Sequence, residues 1–141
     1  MDIILLTENK KQYIDLLLLA DEQESMIDRY LERGDMFVLN DNGVKAICVV
    51  ADETNGICEL KNIAVTSESQ RQGYGKRLIN YLVKHYAGKY TQMIVGTGDV
   101  PSSVSFYKSC GFEYSHRIEN FFTDNYDPVS YTHLRAHETG R

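Results

Sequence analysis

Tryptophan is absent from this chain, and its 141 residues include only 2 prolines and 3 cysteines. Few prolines mean few forced breaks, so helices and strands can run between glycine and asparagine turns. The cysteines are odd in number and form no Cys-x-x-Cys pair. That excludes a disulfide framework and a cysteine zinc site, and leaves Cys48, Cys58 and Cys110 as reduced core thiols. An excess of positive charge is also missing. The 15 Lys and Arg stand against 20 Asp and Glu, for a net charge of −5. No general affinity for nucleic acid follows from that balance, and any anion site must be local. Long apolar runs are missing too. "DLLLLA" (15–20) is far too short to cross a bilayer, and the N-terminus lacks the basic and apolar regions of a secretion signal. A cytoplasmic location with no membrane partner is the expectation.

What is present is an ordinary globular composition, 43% hydrophobic and 25% charged, at the length of one domain. "DIILLT" (2–7) reads as a short strand. A helical pattern starts at Asn9, with Tyr13, Leu16, Leu17 and Ala20 on one face. A second places Met26, Ile27, Tyr30 and Leu31 together, and Gly34 stops it. "MFVLN" (36–40) and "VKAICVVAD" (44–52) are strands joined by the tight turn "DNG" (41–43). "ETNG" (53–56) turns into a third strand, "ICELKNIAV" (57–65). After a polar loop (66–72), Leu78, Ile79, Leu82, Val83 and Tyr86 recur at helical spacing up to Gly88. "YTQMIVGTG" (90–98) is a strand. "DVPSSVSFYKSCGF" (99–112) is a short helix with Asp99 and Pro101 at its start. "FEYSHRIENFF" (112–122) is a further strand. The order β-α-α-β-β-β-α-β-α-β predicts an α/β domain: a mixed, mostly antiparallel sheet flanked by helices.

"QRQGYGKRL" (70–78) is where chemistry enters. A strand, a polar loop with glycines and then a helix present unpaired backbone N–H groups at a helix N-terminus. Those donors and the helix dipole favour an anion, typically phosphate. Glycine lets the backbone approach without a Cβ in the way. Arg71, Lys76 and Arg77 add charge. The stretch is not a P-loop, which needs Gly-x-x-x-x-Gly-Lys-Ser/Thr. Nor is it a dinucleotide fingerprint, because the third glycine position after Gly73 and Gly75 is Leu78.

Gln70-x-x-Gly73-x-Gly75 resembles the pyrophosphate-binding motif of the GCN5-related N-acetyltransferases (GNAT). "ELKNIAVTSESQRQGYGKRLINYL" (59–82) resembles that family's core unit, and "FYKSCGF" (106–112) its second signature. The resemblance runs from residue 2 to about 122 and implies the acyl-CoA N-acyltransferase fold. The implied activity is acetyl transfer from acetyl-CoA, as co-substrate and with no metal, to a primary amine of a small molecule or peptide. It further implies that the strand 59–65 splays from the strand 90–97, with pantetheine in the opening. The backbone of Ile63, Ala64 and Val65 would then lie along pantetheine, Ile63 and Val65 pairing with it. Gln70, Arg71, Gln72, Gly73, Tyr74, Gly75 and Lys76 would hold the pyrophosphate, mainly through N–H groups.

Tyr107 matches the family tyrosine that protonates the leaving thiolate, and a phenol with a pKa of about 10 suits that role. Glu59 matches the general-base glutamate of some members; a water chain is the alternative, and an ion pair with Lys61 the bland one. Many members carry an Asn near the start of the tyrosine helix. Here Asp99, Ser102 or Ser103 would replace it. A non-catalytic acetyl-CoA-binding regulatory module, and a histone-like or ribosomal-type protein acetyltransferase, are the competing functions. The oligomeric state is left as monomer or homodimer.

The end of the chain reads differently. "VSYTHLRAHETGR" (129–141) has no apolar period. Its first 11 residues resemble an in-frame translation of a sequencing-library transposase adapter. The spacing His133-x-x-x-His137 is therefore not read as a metal site. The expectation is a domain of residues 1–128 that lacks its native last strand, followed by a non-native tail whose residues 134–141 are loosely held.

Overall fold

The computed structural model of the chain describes residues 1–97, 101–117 and 132–136, with side chains described within 1–96 and 103–113. By backbone packing the chain divides into two units, residues 1–52 with 60–82 and residues 53–59 with 83–141.

In the first unit, β1 (Asp2–Leu6) pairs antiparallel with β2 (Asp35–Asn40), and β2 pairs antiparallel with β3 (Val44–Asp52). The strand β4 (Ile57–Val65) follows β3 in the order. The β2–β3 turn forms as its sequence dictates. Asn42 and Gly43 take φ of 57° and 109°, the left-handed region these two residues tolerate best.

Between β1 and β2 the chain forms a 3-10 turn (Lys10–Tyr13), α1 (Ile14–Ala20) and α2 (Glu24–Ile27). The second helical stretch is thus a single turn of α-helix, with looser turns up to Gly34. Its apolar spacing still does the expected work. Leu17, Ile27, Tyr30 and Leu31 are buried in one cluster with Met36 and Val38 of β2, Ile47 and Val49 of β3, and Ala64 of β4. The alternate residue Phe37 meets the ring of Tyr81 on α3 (Tyr74–Tyr86), edge to face at 5.7 Å. Both faces of β2 and β3 are therefore covered. That is why these strands read as continuous buried runs rather than as alternating ones.

Lys10 escaped the sequence reading. It is one of the buried polar side chains, only 7% exposed. Its Nζ donates to the carbonyls of Leu31 (2.9 Å), Glu32 (3.3 Å) and Gly34 (2.8 Å). The irregular segment after α2 leaves these acceptors without helical partners, and one ammonium satisfies all three.

In the second unit, residues 57–59 of β4, β5 (Gln92–Thr97), α4 (Pro101–Ser109), β6 (Phe112–Arg117) and β7 (Thr132–Ala136) are built around Cys58, Met93, Val95, Cys110 and Phe112. The strand β5 starts two residues later than expected, and β6 starts at Phe112 as expected and is described as far as Arg117. Residues 118–131, which include the predicted end of that strand, lie outside the described residues. The three cysteines are buried thiols outside any disulfide, as expected.

The tail is the main departure. Residues 134–136, expected to be loosely held, belong to β7. It pairs antiparallel with β5 (Val95 with Leu134) and with β6 (Phe112 with Ala136). The seat of the last strand is thus filled. Ladder bonds run between main-chain groups, so a slot between two strands accepts a segment with no apolar pattern of its own.

Candidate active site

Unlike β3, the β4 strand alternates strictly between buried and half-buried residues. Cys58, Leu60, Asn62 and Ala64 are buried. Ile57, Glu59, Lys61, Ile63 and Val65 are half-buried on the opposite face. One face of β4 is therefore only partly covered. Its edge is equally informative. The Thr66 N–H donates to the Lys45 carbonyl on β3 at 2.9 Å. Main-chain groups alternate sides along a strand, so those of Ile63 and Val65 point away from β3. The Val65 carbonyl accepts the side-chain amide of Gln70 at 3.2 Å. Ala64 points its side chain into the core, so only its backbone can serve a ligand.

Beyond β4 the chain makes a 3-10 turn (Ser67–Ser69) and then the glycine turn. Two glutamines hold this loop from within: Gln70 by the contact above, and Gln72 by donating to the Glu68 carbonyl at 3.3 Å. Arg71 has a φ of 65° and Gly73 a φ of 88°. A Cβ added at Gly73 would meet nothing within 4 Å. Glycine is needed there for the backbone conformation, and the space beside it is open. The Gly73 carbonyl accepts the Arg77 N–H at 3.0 Å and so opens α3. The N–H groups of Tyr74, Gly75 and Lys76 are then left without intrahelical acceptors. No acidic side chain lies in that first turn to compete for them. Arg71, Lys76 and Arg77 are exposed around it, while Gly75 is buried.

The side chain of Tyr74 turns elsewhere. Its hydroxyl donates to Asp41 Oδ2 in the β2–β3 turn at 2.8 Å, and that bond, with Asp41's charge, raises its pKa. Tyr74 therefore anchors the start of α3, and only its N–H is left for the anion site. Asp41 was not legible as its partner, because the two are 33 residues apart.

In the second unit, Pro101 opens α4, and Tyr107 lies near its end between the rings of Phe106 (5.2 Å) and Phe112 (5.7 Å). Burial pushes its phenol up to about 12, with a smaller push from Cys110. The phenol is a more tightly held proton donor than its ordinary value suggests. Glu59 is half-buried on the partly covered face of β4. Ser103 is half-buried in the first turns of α4. Ser102 is in the same turn, but its side chain lies outside the described ones, and Asp99 lies outside the described residues altogether. Among the described residues, no group of three or more His, Cys, Asp and Glu is arranged to hold a metal ion, and no helix is long and apolar enough to cross a membrane.

Known proteins resemble this chain in sequence and fold. Residues 32–114 match the family model of the acetyltransferase (GNAT) domain. The chain is 31% identical over 123 residues to the uncharacterized N-acetyltransferase YvbK of Bacillus subtilis (strain 168), covering 85% of this chain and 79% of the relative. A GNAT family acetyltransferase from Elizabethkingia anophelis, crystallised with acetyl-CoA bound, superposes with a TM-score of 0.81 at 28% identity over 96% of each chain. A Bacillus subtilis acetyltransferase in complex with CoA gives 0.77 at 28% identity, over 95% of this chain and 96% of its own. The protein belongs to the GNAT acetyltransferase family. It is an acetyltransferase with that family's mixed sheet and flanking helices.

Proposed function

We propose that this acetyltransferase moves an acetyl group from acetyl-CoA to a primary amine of a small molecule or peptide. The observation that carries the reading is the run from the half-buried face of β4 into the open, left-handed Gly73 and the bare N-terminus of α3. It offers a pyrophosphate a set of N–H donors. Both solved relatives described above hold acetyl-CoA or CoA. Ile63 and Val65 would pair with pantetheine. Residues 70–76 would hold the pyrophosphate through N–H groups, with Arg71 and Lys76 adding charge.

Acetyl-CoA supplies the activated acyl group, and the protein manages two protons. The new N–C bond forms as the amine loses a proton to Glu59, directly or through water. The C–S bond breaks, and sulfur takes a proton from Tyr107. The direct test is release of free CoA thiol in the presence of a panel of primary amines. Binding of acetyl-CoA without thiol release across the panel would make the chain a cofactor-binding module instead.

Glu59 is tested by the pH–rate profile. A general base must be ionised, so kcat/KM falls as pH drops through its pKa. Glu59→Gln is expected to lower kcat/KM by roughly 10²-fold and to remove that acid limb. An unchanged limb in the variant would hand the role to a water chain.

Buried thiols outside any disulfide suit a reducing compartment such as the cytoplasm. We also read residues 129–141 as non-native, on their likeness to a translated adapter. Sequencing the gene at its source without that adapter should give a different 3′ end; the same end would make the tail native.

A further inference from the structure

We infer that Asn62 is a positioning residue for the transfer, one that fixes the end of α1 against β4; this rests on the acetyl-transfer reading above. Asn62 is 3% exposed. Its Nδ2 donates to the Leu17 carbonyl at 3.1 Å and to the Tyr30 hydroxyl at 3.0 Å. Tyr30 in turn donates to Asp21 Oδ2 at 3.1 Å. One amide thus ties β4 to α1, to the residue that ends α1, and to the turn after α2.

This amide is not there to satisfy its neighbours. The Leu17 carbonyl already accepts the Asp21 N–H at 3.2 Å. The Tyr30 hydroxyl already has the Asp21 carboxylate. Remove the Asn62 side chain and neither is left bare. The amide even brings a cost, because its own Oδ1 is buried with no partner. Two neutral hydrogen bonds gain about as much as one bare buried carbonyl loses. The net effect on stability is therefore small, and what remains is geometry.

That geometry sits where the reaction needs it. Asn62 precedes Ile63, whose main chain is on the edge proposed for pantetheine. Its side chain points to the other side, into the packing of α1 and α2. The family resemblance implies that the first helices (9–33), to which both belong, build the acceptor site together with the native end of the chain. Asn62 would therefore set how far the acceptor amine stands from the thioester. A displacement of about 1 Å at such a site costs up to roughly 10²-fold in rate.

The test uses the full chain carrying Asn62→Val, a β-branched residue suited to a strand. Butylamine, phenethylamine and lysine ethyl ester serve as acceptor probes. The expected result is a kcat lower by about tenfold, acetyl-CoA affinity within about twofold of the parent and a melting temperature within about 2 °C. Amide exchange across residues 17–30 should be faster by about fivefold. Tyr30→Phe, which keeps the ring in the core, should act in the same direction and stands in if the valine variant fails to fold. Unchanged kcat and KM would make Asn62 merely structural, and unchanged exchange would show that it does not hold α1; either overturns the inference. Binding and turnover by the parent test the acetyl-transfer reading separately, and the exchange measurement judges Asn62 whether or not a probe amine is accepted.

Discussion

Tyr107→Phe is expected to lower kcat by roughly 10²–10⁴-fold while leaving acetyl-CoA affinity nearly unchanged. The substitution keeps the ring packed between Phe106 and Phe112 and deletes only the hydroxyl. Burial holds that phenol near 12, against an ordinary tyrosine near 10. Handing its proton to a relaxed thiolate, whose conjugate thiol has a pKa of about 8.5, is uphill by roughly 5 kcal/mol. That is affordable beside the barrier of roughly 17 kcal/mol for one turnover per second. The larger consequence of burial is that the group stays protonated at every working pH. An acid is lost from catalysis as pH rises through its pKa, so no alkaline limb below about pH 11 should belong to Tyr107. Steady-state kinetics and calorimetric titration of the variant check both points. A kcat within twofold or so of the parent would remove Tyr107 from the chemistry.

Gly73→Asn should weaken acetyl-CoA binding by roughly 10–100-fold, the loss of one or two charge-assisted hydrogen bonds, and barely disturb the fold. Asparagine enters left-handed backbone more readily than other side chains, so at φ 88° it adds less backbone strain than a β-branched residue would. Its Cβ would meet no protein atom within 4 Å, so packing strain is small. The new side chain would occupy the space through which a pyrophosphate reaches the N–H groups of Tyr74, Gly75 and Lys76. Gly73→Val makes the contrast. A β-branched residue at this φ is strained and should lower the melting temperature as well as the affinity. Titration calorimetry and thermal melts separate the two variants. Unchanged affinity in a folded Gly73→Asn protein would place the pyrophosphate elsewhere.

The sequence by itself determined the features whose cause is local. The β2–β3 turn follows from Asn42 and Gly43, which adopt left-handed backbone at little cost. The helix α3 follows from apolar residues at helical spacing, and its start from Gly73. The strand, glycine turn and helix that carry the phosphate site proposed at residues 70–76 follow one another directly, which is a property of neighbouring residues. The helix end that carries Tyr107 was legible because its signature is seven consecutive residues, 106–112.

Tertiary structure decided what depends on partners far along the chain. Lys10 looks like a surface lysine in its own segment, yet carbonyls 21 to 24 residues away bury it. Tyr74 reads as part of the anion loop until Asp41 takes its hydroxyl. The phenol of Tyr107 rises above its ordinary value only because the second unit packs around it. Asn62 is one polar residue in an alternating strand. Its tie to Leu17 and Tyr30 spans 45 and 32 residues, and no periodicity encodes it. The placement of β7 between β5 and β6 is of the same kind. The strands β5 and β7 are not consecutive in the chain, so their pairing rests on main-chain groups that every sequence carries, and on a slot that only the folded sheet defines.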